Sequence, residues 1–432
     1  MNKVRITTLR QAYAGFSRID RPKGSAPRFA ILQSNFCRFP PAMSYRNALN
    51  IEDLRRMAEK RLPRVAYDFL AGGVEDDVSL ANNRAAFERI RLRPHTLVDV
   101  SGRSQQVSVF GKTFDAPFGI APTGAAGLYG FAADIALARA AREAGVPFVL
   151  STASFEPLEK VAREAAGGTL WFQLYMSKDR EAARTLVTRA LNAGYEALVV
   201  TTDLPVQPNR EYNQRNGFTI PFKLNLANMI DGALHPRWLF SVFMRTLLDS
   251  GVPRFQNLDT NVGGRIIAKP MDEFRARREA LDWGDFRWLR ELWPRKLFLK
   301  GVLRADDALT AAQHGADGVF ISNHGGRALD GALAPLEALP QIRAAVGNRL
   351  VLMLDSGIRR GTDIVKALAL GADMTFVGRA PLYGIAVGGE AGARHAIGIL
   401  RSEVNRVLAL LGCPSIGELN ADYLWHPDKQ GD

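Results

Sequence analysis

From residue 118 onward, short apolar runs alternate with longer stretches that have the residue spacing of helices. The runs are FGIAPTG from 118, FVLSTAS from 148, WFQLYM from 171, ALVVTTD from 197, LFLKGV from 297, GVFISNHG from 318, VLMLDSG from 351 and MTFVGRA from 374. Strands that alternate with helices pair in parallel, because each crossover returns the chain to the same end of the sheet. Eight such units predict an α/β fold, a (β/α)₈ TIM barrel. A doubly wound sheet is the alternative, but no glycine-rich dinucleotide fingerprint follows the first run.

One connection is much longer than the others. The fourth and fifth runs start 100 residues apart, at 197 and 297, whereas the other starts are 21 to 33 residues apart. This excursion (211–284) contains HPRWLFSVFMRTLLDSGVPRF, in which Trp, Phe and Leu are interleaved with arginines. Its apolar stretch 238–248 is too short to span a bilayer but suits an amphipathic segment on a membrane surface. From the residues alone, a lid helix or a subunit interface is an equally good interpretation.

The segments that flank the eight units differ from each other. Residues 50–70 predict helices that precede the barrel, and residues 385–411 predict a long helical region that covers its last face. Residues 1–46 carry nine Lys and Arg residues and one acid, Asp20, so +8 of the net charge of +12 lies there. We expect residues 1–46 to be a disordered basic extension; an upstream start codon, with the functional chain beginning near Met43, is the alternative, and a targeting segment is less favoured. Residues 47–432 then form one barrel domain.

Charge and cysteine content exclude several classes of protein. The body of the chain carries only +4, and it contains no zinc-finger, helix-turn-helix or aromatic–basic RNA motif, so nucleic acid is not an expected partner. The two cysteines, Cys37 and Cys413, provide neither a disulfide framework nor metal-ligand spacing, and they indicate a reducing compartment. No apolar run approaches the length of a transmembrane helix.

Polar residues follow every predicted strand, and in TIM barrels the carboxyl ends of the strands carry the active site. One polar strand end is often structural, but eight in register indicate a binding or catalytic site. These residues are Thr123, Ser151, Gln173 with Tyr175, Thr201 with Asp203, Lys300, His324, Asp355 and Arg379.

The last two strands predict a phosphate site. The motif DSGIRRGTD places Gly357 and Arg359 just before a helix, and VGRA offers Gly378 and Arg379 after the final strand. Backbone N–H groups at a helix N-terminus and a bidentate arginine bind phosphate well. The pattern leaves open whether the phosphate belongs to a substrate or to a cofactor.

The motif SNHGGR presents a histidine and an arginine to a ligand. His324 is suited to act as a general base if Asp203 orients it, and Arg210 with Arg327 can bind a carboxylate through paired N–H bonds. Together with a phosphate-bearing cofactor, these residues suggest the oxidation of a 2-hydroxy acid. Lys300 leaves an alternative open, since a lysine at this position can form a Schiff base in a phosphate-binding aldolase or isomerase barrel.

The chain resembles the FMN-dependent α-hydroxy-acid oxidases and dehydrogenases over residues 48–425. The motifs that carry the resemblance are YDFLAGGVEDDVSLANNRAAF, APTG, STAS, WFQLY, TTDLP, LKGV, SNHGGRALDG, DSGIRRGTDIVKALALGAD and VGRAPLYG. The resemblance implies FMN as the cofactor that bears the phosphate, and no metal. It also implies roles for six residues: His324 removes the substrate's α-proton or its hydroxyl proton, Asp203 orients His324, Arg210 and Arg327 bind the carboxylate, Tyr175 bonds the substrate oxygen, and Lys300 stabilises the reduced flavin.

The resemblance further implies two groups of FMN contacts. Those around the flavin ring are Pro122, Thr123, Gly124, Ser151, Gln173, Thr201, Lys300 and Ser322. Those around the ribityl phosphate are Asp355, Ser356, Gly357, Ile358, Arg359, Gly378 and Arg379.

One position in the substrate pocket departs from the family. Its members carry tyrosine as the third residue of a YDY stretch, where the hydroxyl helps to bind the substrate carboxylate, but this chain has Phe69. Loss of one hydrogen bond to a charged group costs about 1.5–3 kcal/mol of binding. Tyr67 is not expected to substitute, because a displacement of two residues turns it to another face. We expect the enzyme to keep its catalytic chemistry through Arg210 and Arg327. Its affinity for the substrate, or the identity of that substrate, is expected to differ from that of other family members.

Two features are similar to the mandelate dehydrogenase branch of the family. Ala153 stands where glycolate oxidases carry tryptophan, which leaves room for an aromatic substituent. The excursion's DGALHPRW and the following RWLRELWPRKLFLKG are similar to membrane-attached mandelate dehydrogenases. The membrane-attached lactate dehydrogenases are the alternative, since they share the HP-x-W stretch and Gly124. A barrel that has lost catalysis and only binds a membrane surface is a further alternative.

For partners, the resemblance implies an (S)-2-hydroxy acid similar to mandelate as the substrate and a quinone or respiratory-chain component as the electron acceptor. It also implies a tetramer that lies in the cytoplasm, attached to the inner face of the cell membrane.

Overall fold

Eight parallel strands close into a barrel in this computed structural model, which describes residues 44–176, 179–218, 225–257 and 278–425. Neighbours in the barrel follow chain order, and the last strand pairs with the first. The predicted (β/α)₈ fold is confirmed, and each strand begins within one residue of its predicted start. The strands are β1 (Phe118–Ile120), β2 (Phe148–Ser151), β3 (Leu170–Leu174), β4 (Ala197–Thr201), β5 (Lys296–Val302), β6 (Gly318–Ile321), β7 (Val351–Leu354) and β8 (Met374–Val377).

Strand β5 is longer than the sequence predicts. Lys300 was expected to end it, but the strand continues to Val302, and its register with β6 shifts between these two residues. Gly301 lies between them with a φ of 107°, and a Cβ atom there would stand 2.6 Å from the Cβ atom of Asp203. Only glycine therefore lets β5 pass this close to Asp203.

An aromatic cluster fills the inside of the barrel. Trp171, Phe298, Phe320 and Phe376 are fully buried or nearly so, and their ring centroids lie 4.8 to 6.4 Å apart. The antiparallel hairpin 107–114 adds Val109 and Phe114 to the same cluster. The interior is a packed core rather than a channel, as in other barrels of this kind, and a ligand must bind at an end.

Helices surround the barrel and precede it. In chain order they are α1 (Ile51–Arg61), α2 (Arg64–Ala71), α3 (Val78–Arg89), α4 (Ala133–Glu143), α5 (Leu158–Glu164), α6 (Arg180–Asn192), α7 (Glu211–Arg215), α8 (Leu226–Leu234), α9 (Pro236–Trp238), α10 (Arg245–Ser250), α11 (Trp283–Leu292), α12 (Ala305–Gln313), α13 (Pro335–Val346), α14 (Gly361–Ala369) and α15 (Arg379–Leu411). Helices α1 and α2 occupy the segment that was predicted to precede the barrel. The predicted last helical region begins earlier than residue 385, and Gly389, with a φ of 57°, interrupts it.

The excursion after β4 carries helices α7 to α10. A π-helical turn (Leu239–Met244) joins α9 to α10, so the chain is helical without a break from 236 to 250. Helix α11 then supplies the crossover to β5 and buries Phe286 and Leu289. In the part of the chain that the structure describes, no helix combines the length and the apolar character needed to cross a membrane. Of the predicted basic extension (1–46), residues 1–43 lie outside the described residues.

Candidate active site

Three predicted catalytic residues meet at the carboxyl end of the barrel. His324 follows β6, and its Nδ1 lies 2.9 Å from Oδ1 of Asp203, which follows β4. The hydroxyl of Tyr175, just after β3, lies 3.3 Å from the other ring nitrogen, Nε2. Nδ1 therefore bonds the carboxylate, and Nε2 is the nitrogen that faces Tyr175 and the cavity.

The electrostatic surroundings keep His324 neutral and Asp203 ionised. Burial lowers the pKa of His324, and the partial compensation by Asp203 leaves it below its ordinary value. Burial alone would raise the pKa of Asp203, but proximity to His324 and Lys300 outweighs burial and lowers it. A neutral imidazole held by a carboxylate can accept a proton at Nε2 at neutral pH.

The two glycines of SNHGGR let the loop pack against the protein itself. A Cβ atom on Gly325 would lie 2.9 Å from a guanidinium nitrogen of Arg379, and one on Gly326 would lie 2.6 Å from the backbone nitrogen of Leu80. His324 itself has a φ of 60°, and its backbone N–H donates to Oγ of Ser322 at 3.1 Å. The loop thus clamps His324 in a left-handed conformation that non-glycine residues seldom adopt.

Lys300 is paired with carboxylates rather than poised as a nucleophile. Its Nζ lies 2.9 Å from Oδ2 of Asp355 and donates to Oγ of Ser322 at 2.6 Å. Burial alone would lower the pKa of Lys300, but Asp355 and Asp203 outweigh burial and raise it above the ordinary value. Lys300 is therefore a buried cation, which does not suit the Schiff-base alternative.

A large cavity opens above these residues, and most of the predicted FMN contacts line it. Its lining includes Pro122, Thr123, Gly124, Lys300, Asp355, Ser356, Gly357, Ile358, Arg359, Gly378 and Arg379. The other four, Ser151, Gln173, Thr201 and Ser322, are buried beside it and do not line it.

Two of these buried residues each carry one polar atom without a hydrogen-bond partner among the described residues. Nε2 of Gln173 and the hydroxyl of Thr201 are buried, and neither has a partner among the described residues. Gln173 precedes Tyr175 by two residues, so both side chains leave the chain on the same face. Buried donors of this kind are rarely left unpaired in a complete protein, and the carbonyl and ring-nitrogen acceptors of a flavin would satisfy them. The residues present therefore fit the ring of FMN.

The opposite end of the cavity is rich in positive charge. Arg327, Arg359 and Arg379 lie close enough that burial together with the other two arginines lowers the pKa of Arg379 to about 9. Arg379 donates to the carbonyls of Leu70, Gly325 and Gly72 at 2.8 to 3.0 Å, and no carboxylate among the described residues pairs with any of the three arginines. Clustered cations without a counter-ion require an anion, and two of the three, Arg359 and Arg379, follow β7 and β8. This end of the cavity fits a phosphate group.

Phe69 lies between the two arginines predicted to bind the carboxylate. The ring centroid of Phe69 is 5.1 Å from the guanidinium carbon of Arg327 and 5.9 Å from that of Arg210. Arg327 also donates to the carbonyl of Gly72 at 2.7 Å. The aromatic face of Phe69 thus supports both cations, although it offers no hydroxyl to a ligand. Tyr67 does not substitute, since it does not line the cavity and its hydroxyl accepts a hydrogen bond from Arg55 of α1.

The rest of the lining is mostly apolar, and the sequence predicted only part of it. Ala153 lines the cavity, and a Cβ atom on Gly124 would stand 2.9 Å from the Cβ of Ala153, so two small residues face each other there. The lining residues that the sequence did not indicate include Leu128, Phe155, Val206, Phe218, Phe255 and Arg278. Four of these six come from the excursion or the loop that leads into it, where no motif indicated which side chains turn inward.

Comparisons with known proteins identify the family of the chain. The family model described as FMN-dependent dehydrogenase matches residues 58–426. The chain is 46% identical to (S)-mandelate dehydrogenase of Pseudomonas putida over 88% of its own length and 94% of that protein. It is 42% identical to L-lactate oxidase of a Nostoc species, over 87% of its length and 98% of that protein.

Solved structures give the same result. A crystal structure of the monotopic membrane protein (S)-mandelate dehydrogenase superposes with a TM-score of 0.81 at 44% identity, covering 88% of this chain and all of that one. A mandelate oxidase structure superposes with a TM-score of 0.72 at 34% identity, covering 88% and 98%. The barrel, the cavity and these matches place the chain in the FMN-dependent dehydrogenase family.

Proposed function

We propose that this enzyme oxidises an (S)-2-hydroxy acid with an aromatic side chain, similar to mandelate, to the 2-oxo acid. One observation carries the proposal: the His324–Asp203 pair lies at a cavity whose lining combines Arg210 and Arg327 with the aromatic rings of Phe69, Phe155, Phe218 and Phe255. A carboxylate beside a hydroxyl matches the arginines and His324, and a phenyl group matches the aromatic rings. FMN, when bound, accepts the two electrons that leave the substrate.

The residues of the chain have separate tasks in this proposal. Arg210 and Arg327 hold the substrate carboxylate through charge-assisted hydrogen bonds. Nε2 of His324 takes the α-proton, or the hydroxyl proton if the α-hydrogen leaves with its electron pair. Tyr175 donates a hydrogen bond to the substrate's hydroxyl oxygen, and the protonated Lys300 offsets the negative charge that develops on the cofactor.

Asp203 contributes by keeping its carboxylate ionised beside Nδ1. The imidazolium that forms when His324 takes a proton is buried, and a buried cation without a counter-ion is costly. The 2.9 Å contact supplies that counter-ion and fixes the orientation of the ring.

L-lactate is the second candidate substrate, because relatives named L-lactate oxidase and putative L-lactate dehydrogenase are 42% and 40% identical to the chain. The cavity lining includes the aromatic rings of Phe155, Phe218 and Phe255, against which a methyl group would bury less apolar surface than a phenyl group. Burial of a phenyl group against apolar side chains is worth about 1.5–3 kcal/mol. The cavity therefore favours mandelate over lactate.

Comparison of kcat/KM for (S)-mandelate and L-lactate tests the substrate. We expect mandelate to be favoured by at least about tenfold. The substitution Ala153→Trp fills the space beside Gly124 and should lower kcat/KM for mandelate much more than for lactate. Equal effects on both acids, or a wild-type preference for lactate, would assign the enzyme to lactate.

We also propose that helices α8 to α10 attach the enzyme to a membrane surface. Leu226, Met229, Ile230 and Leu234 recur at helical spacing along α8 and are exposed, Leu226 and Leu234 by 73%. Phe240, Met244 and Leu248, spaced four residues apart in the next helical stretch, are exposed as well, Leu248 by 84%. An exposed apolar face of this length, with arginines alongside, suits the interface of a bilayer. The homologous (S)-mandelate dehydrogenase is a monotopic membrane protein.

The proposed membrane surface connects to the cavity. The indole N–H of Trp238 donates to the carbonyl of Leu128 at 2.8 Å, and Leu128 lines the cavity. A lipid-soluble acceptor such as a quinone can reach the reduced cofactor from this side. We assign the enzyme to the cytoplasmic face of the membrane and to a tetramer on the basis of the family alone.

A further inference from the structure

Arg278 lies in the cavity at the point where the excursion returns to the barrel. Its guanidinium carbon is 4.6 Å from the centroid of the Tyr175 ring. It begins the short 3₁₀ helix Arg278–Ala280, which leads into α11. The opposite end of Tyr175, its hydroxyl, faces Nε2 of His324. Arg278 thus contacts the aromatic ring whose hydroxyl faces the catalytic histidine.

Arg278 is separate from the pair proposed to bind the carboxylate. Arg210 and Arg327 both contact the ring of Phe69, at 5.9 and 5.1 Å. Arg278 contacts a different ring, on the side of the cavity formed by the end of β3. A third carboxylate ligand would be expected beside the other two, so a different role fits Arg278 better.

A cation over the face of a phenol has two effects. It attracts the negative face of the ring and so fixes the ring's orientation. It also favours the loss of the phenol proton, which makes the hydroxyl a stronger hydrogen-bond donor. Burial and the Asp203 carboxylate act in the opposite direction and raise the pKa of Tyr175, while Arg278, Lys300 and Arg210 oppose that rise.

We propose that Arg278 is a positioning residue for the oxidation: it holds the Tyr175 ring so that the hydroxyl meets Nε2 of His324 and the substrate oxygen, and its charge strengthens that hydroxyl as a donor. The inference rests on the proposed function, because it requires a substrate oxygen at Tyr175. It predicts that Arg278 acts on the rate of the oxidation through Tyr175 and contributes little to substrate binding.

A double-mutant cycle tests the inference. The variants are Arg278→Met, Arg278→Lys, Tyr175→Phe and the Met–Phe double variant, and the measurement is the rate of flavin bleaching on anaerobic mixing with (S)-mandelate. We expect R278M to be about tenfold slower with its substrate affinity nearly unchanged, and R278K to recover most of the rate. In the Y175F background, R278M should have no further effect, because the hydroxyl on which Arg278 acts is absent.

The matched control is Arg184→Gln. It removes a comparable contact, 5.4 Å from Arg184 to the ring of Trp288, on the outside of the barrel. We expect the wild-type rate from this variant. A crystal structure of R278M gives a readout independent of turnover: the Tyr175 ring should leave its place and its hydroxyl should move away from His324.

Three results would contradict the proposed role of Arg278. If R278M slows Y175F as much as it slows the wild type, or acts only on substrate affinity, or leaves Tyr175 in place, the inference is overturned. Normal bleaching of the wild type together with an unaffected R278M would overturn this inference alone. A wild-type flavin that no 2-hydroxy acid bleaches would overturn the proposed function, and with it the inference.

Discussion

The carboxyl end of the barrel and the excursion after β4 differ in which side chains they bury: the first buries charged side chains, and the second exposes large apolar ones. At the barrel end, charged groups are buried and paired: the side chains of Lys300 and Asp355 are 3% and 8% exposed and lie 2.9 Å apart. On α8 to α10, large apolar side chains face outward, and Leu248 is the most exposed of them. One region places charge where there is little water, and the other places apolar surface where water is abundant.

The difference shows that each region is completed by a different partner. Buried charges are tolerated only with counter-charges and hydrogen bonds. Among the described residues, Arg327, Arg359 and Arg379 have no carboxylate partner, and buried polar atoms of Gln173 and Thr201 have no hydrogen-bond partner. Exposed apolar faces are stable when a partner or a lipid phase covers them. A charged, phosphate-bearing cofactor completes the first region, and we propose that a bilayer covers the second. Changes in one region should therefore leave the function of the other intact.

The largest expected effect on the rate of oxidation comes from substitution of the catalytic histidine. His324→Gln removes the base but keeps a hydrogen-bonding side chain, and we expect flavin reduction by the substrate to slow by about 10³-fold or more. The visible spectrum of the variant should show FMN still bound, and its binding to vesicles should be normal. Rapid anaerobic mixing measures the rate. A loss of less than tenfold would show that His324 is not the base.

A smaller loss of turnover is expected when the carboxylate that orients His324 is replaced. Asp203→Asn keeps the size of the side chain and removes its charge, and we expect kcat to fall by about 10²-fold. Without Asp203, burial and the charges of Lys300 and Arg210 lower the pKa of His324 further. Because the neutral imidazole is the active form, the acidic limb of the kcat/KM profile should move to lower pH. A shift to higher pH would contradict the assignment.

The smallest effect on turnover is expected from substitutions in the excursion, which should alter membrane binding instead. The combined substitutions Leu234→Gln, Phe240→Gln and Leu248→Gln remove three apolar side chains from the proposed membrane surface. We expect sedimentation with phospholipid vesicles to weaken by at least about tenfold, because each side chain contributes through buried apolar area. Turnover with a soluble electron acceptor should stay at the wild-type level.

The chain offers a matched control for this surface. Leu49, Leu97 and Leu410 are equally exposed, by 70% or more, and lie outside the excursion. Their replacement by glutamine should leave vesicle binding unchanged. If both triple variants lose binding alike, general hydrophobicity rather than the α8–α10 face holds the protein on the vesicles.

Much of the barrel was predictable, because its signals are local. Each strand is a short apolar run followed by polar residues, and this pattern can be recognised in the sequence without knowledge of contacts with distant segments. The His324–Asp203 contact could be predicted as well, since both residues follow parallel strands and such strands end at the same side of a barrel.

The features that could not be predicted depend on contacts between distant segments. The extension of β5 to Val302 depends on Gly301 and on how closely Asp203 packs against it. Phe69 has no local sign that it supports two arginines from other loops, and the sequence indicated only the hydroxyl it lacks. Arg278 belongs to no motif, and only the return of the excursion brings it to Tyr175.

The most direct test of the account is the visible spectrum of the purified protein under anaerobic conditions, before and after addition of (S)-mandelate, with L-lactate for comparison. The account predicts a bound flavin that (S)-mandelate bleaches rapidly and L-lactate bleaches more slowly or not at all. A protein that binds no flavin even when FMN is supplied, or a flavin that neither acid reduces, would contradict it.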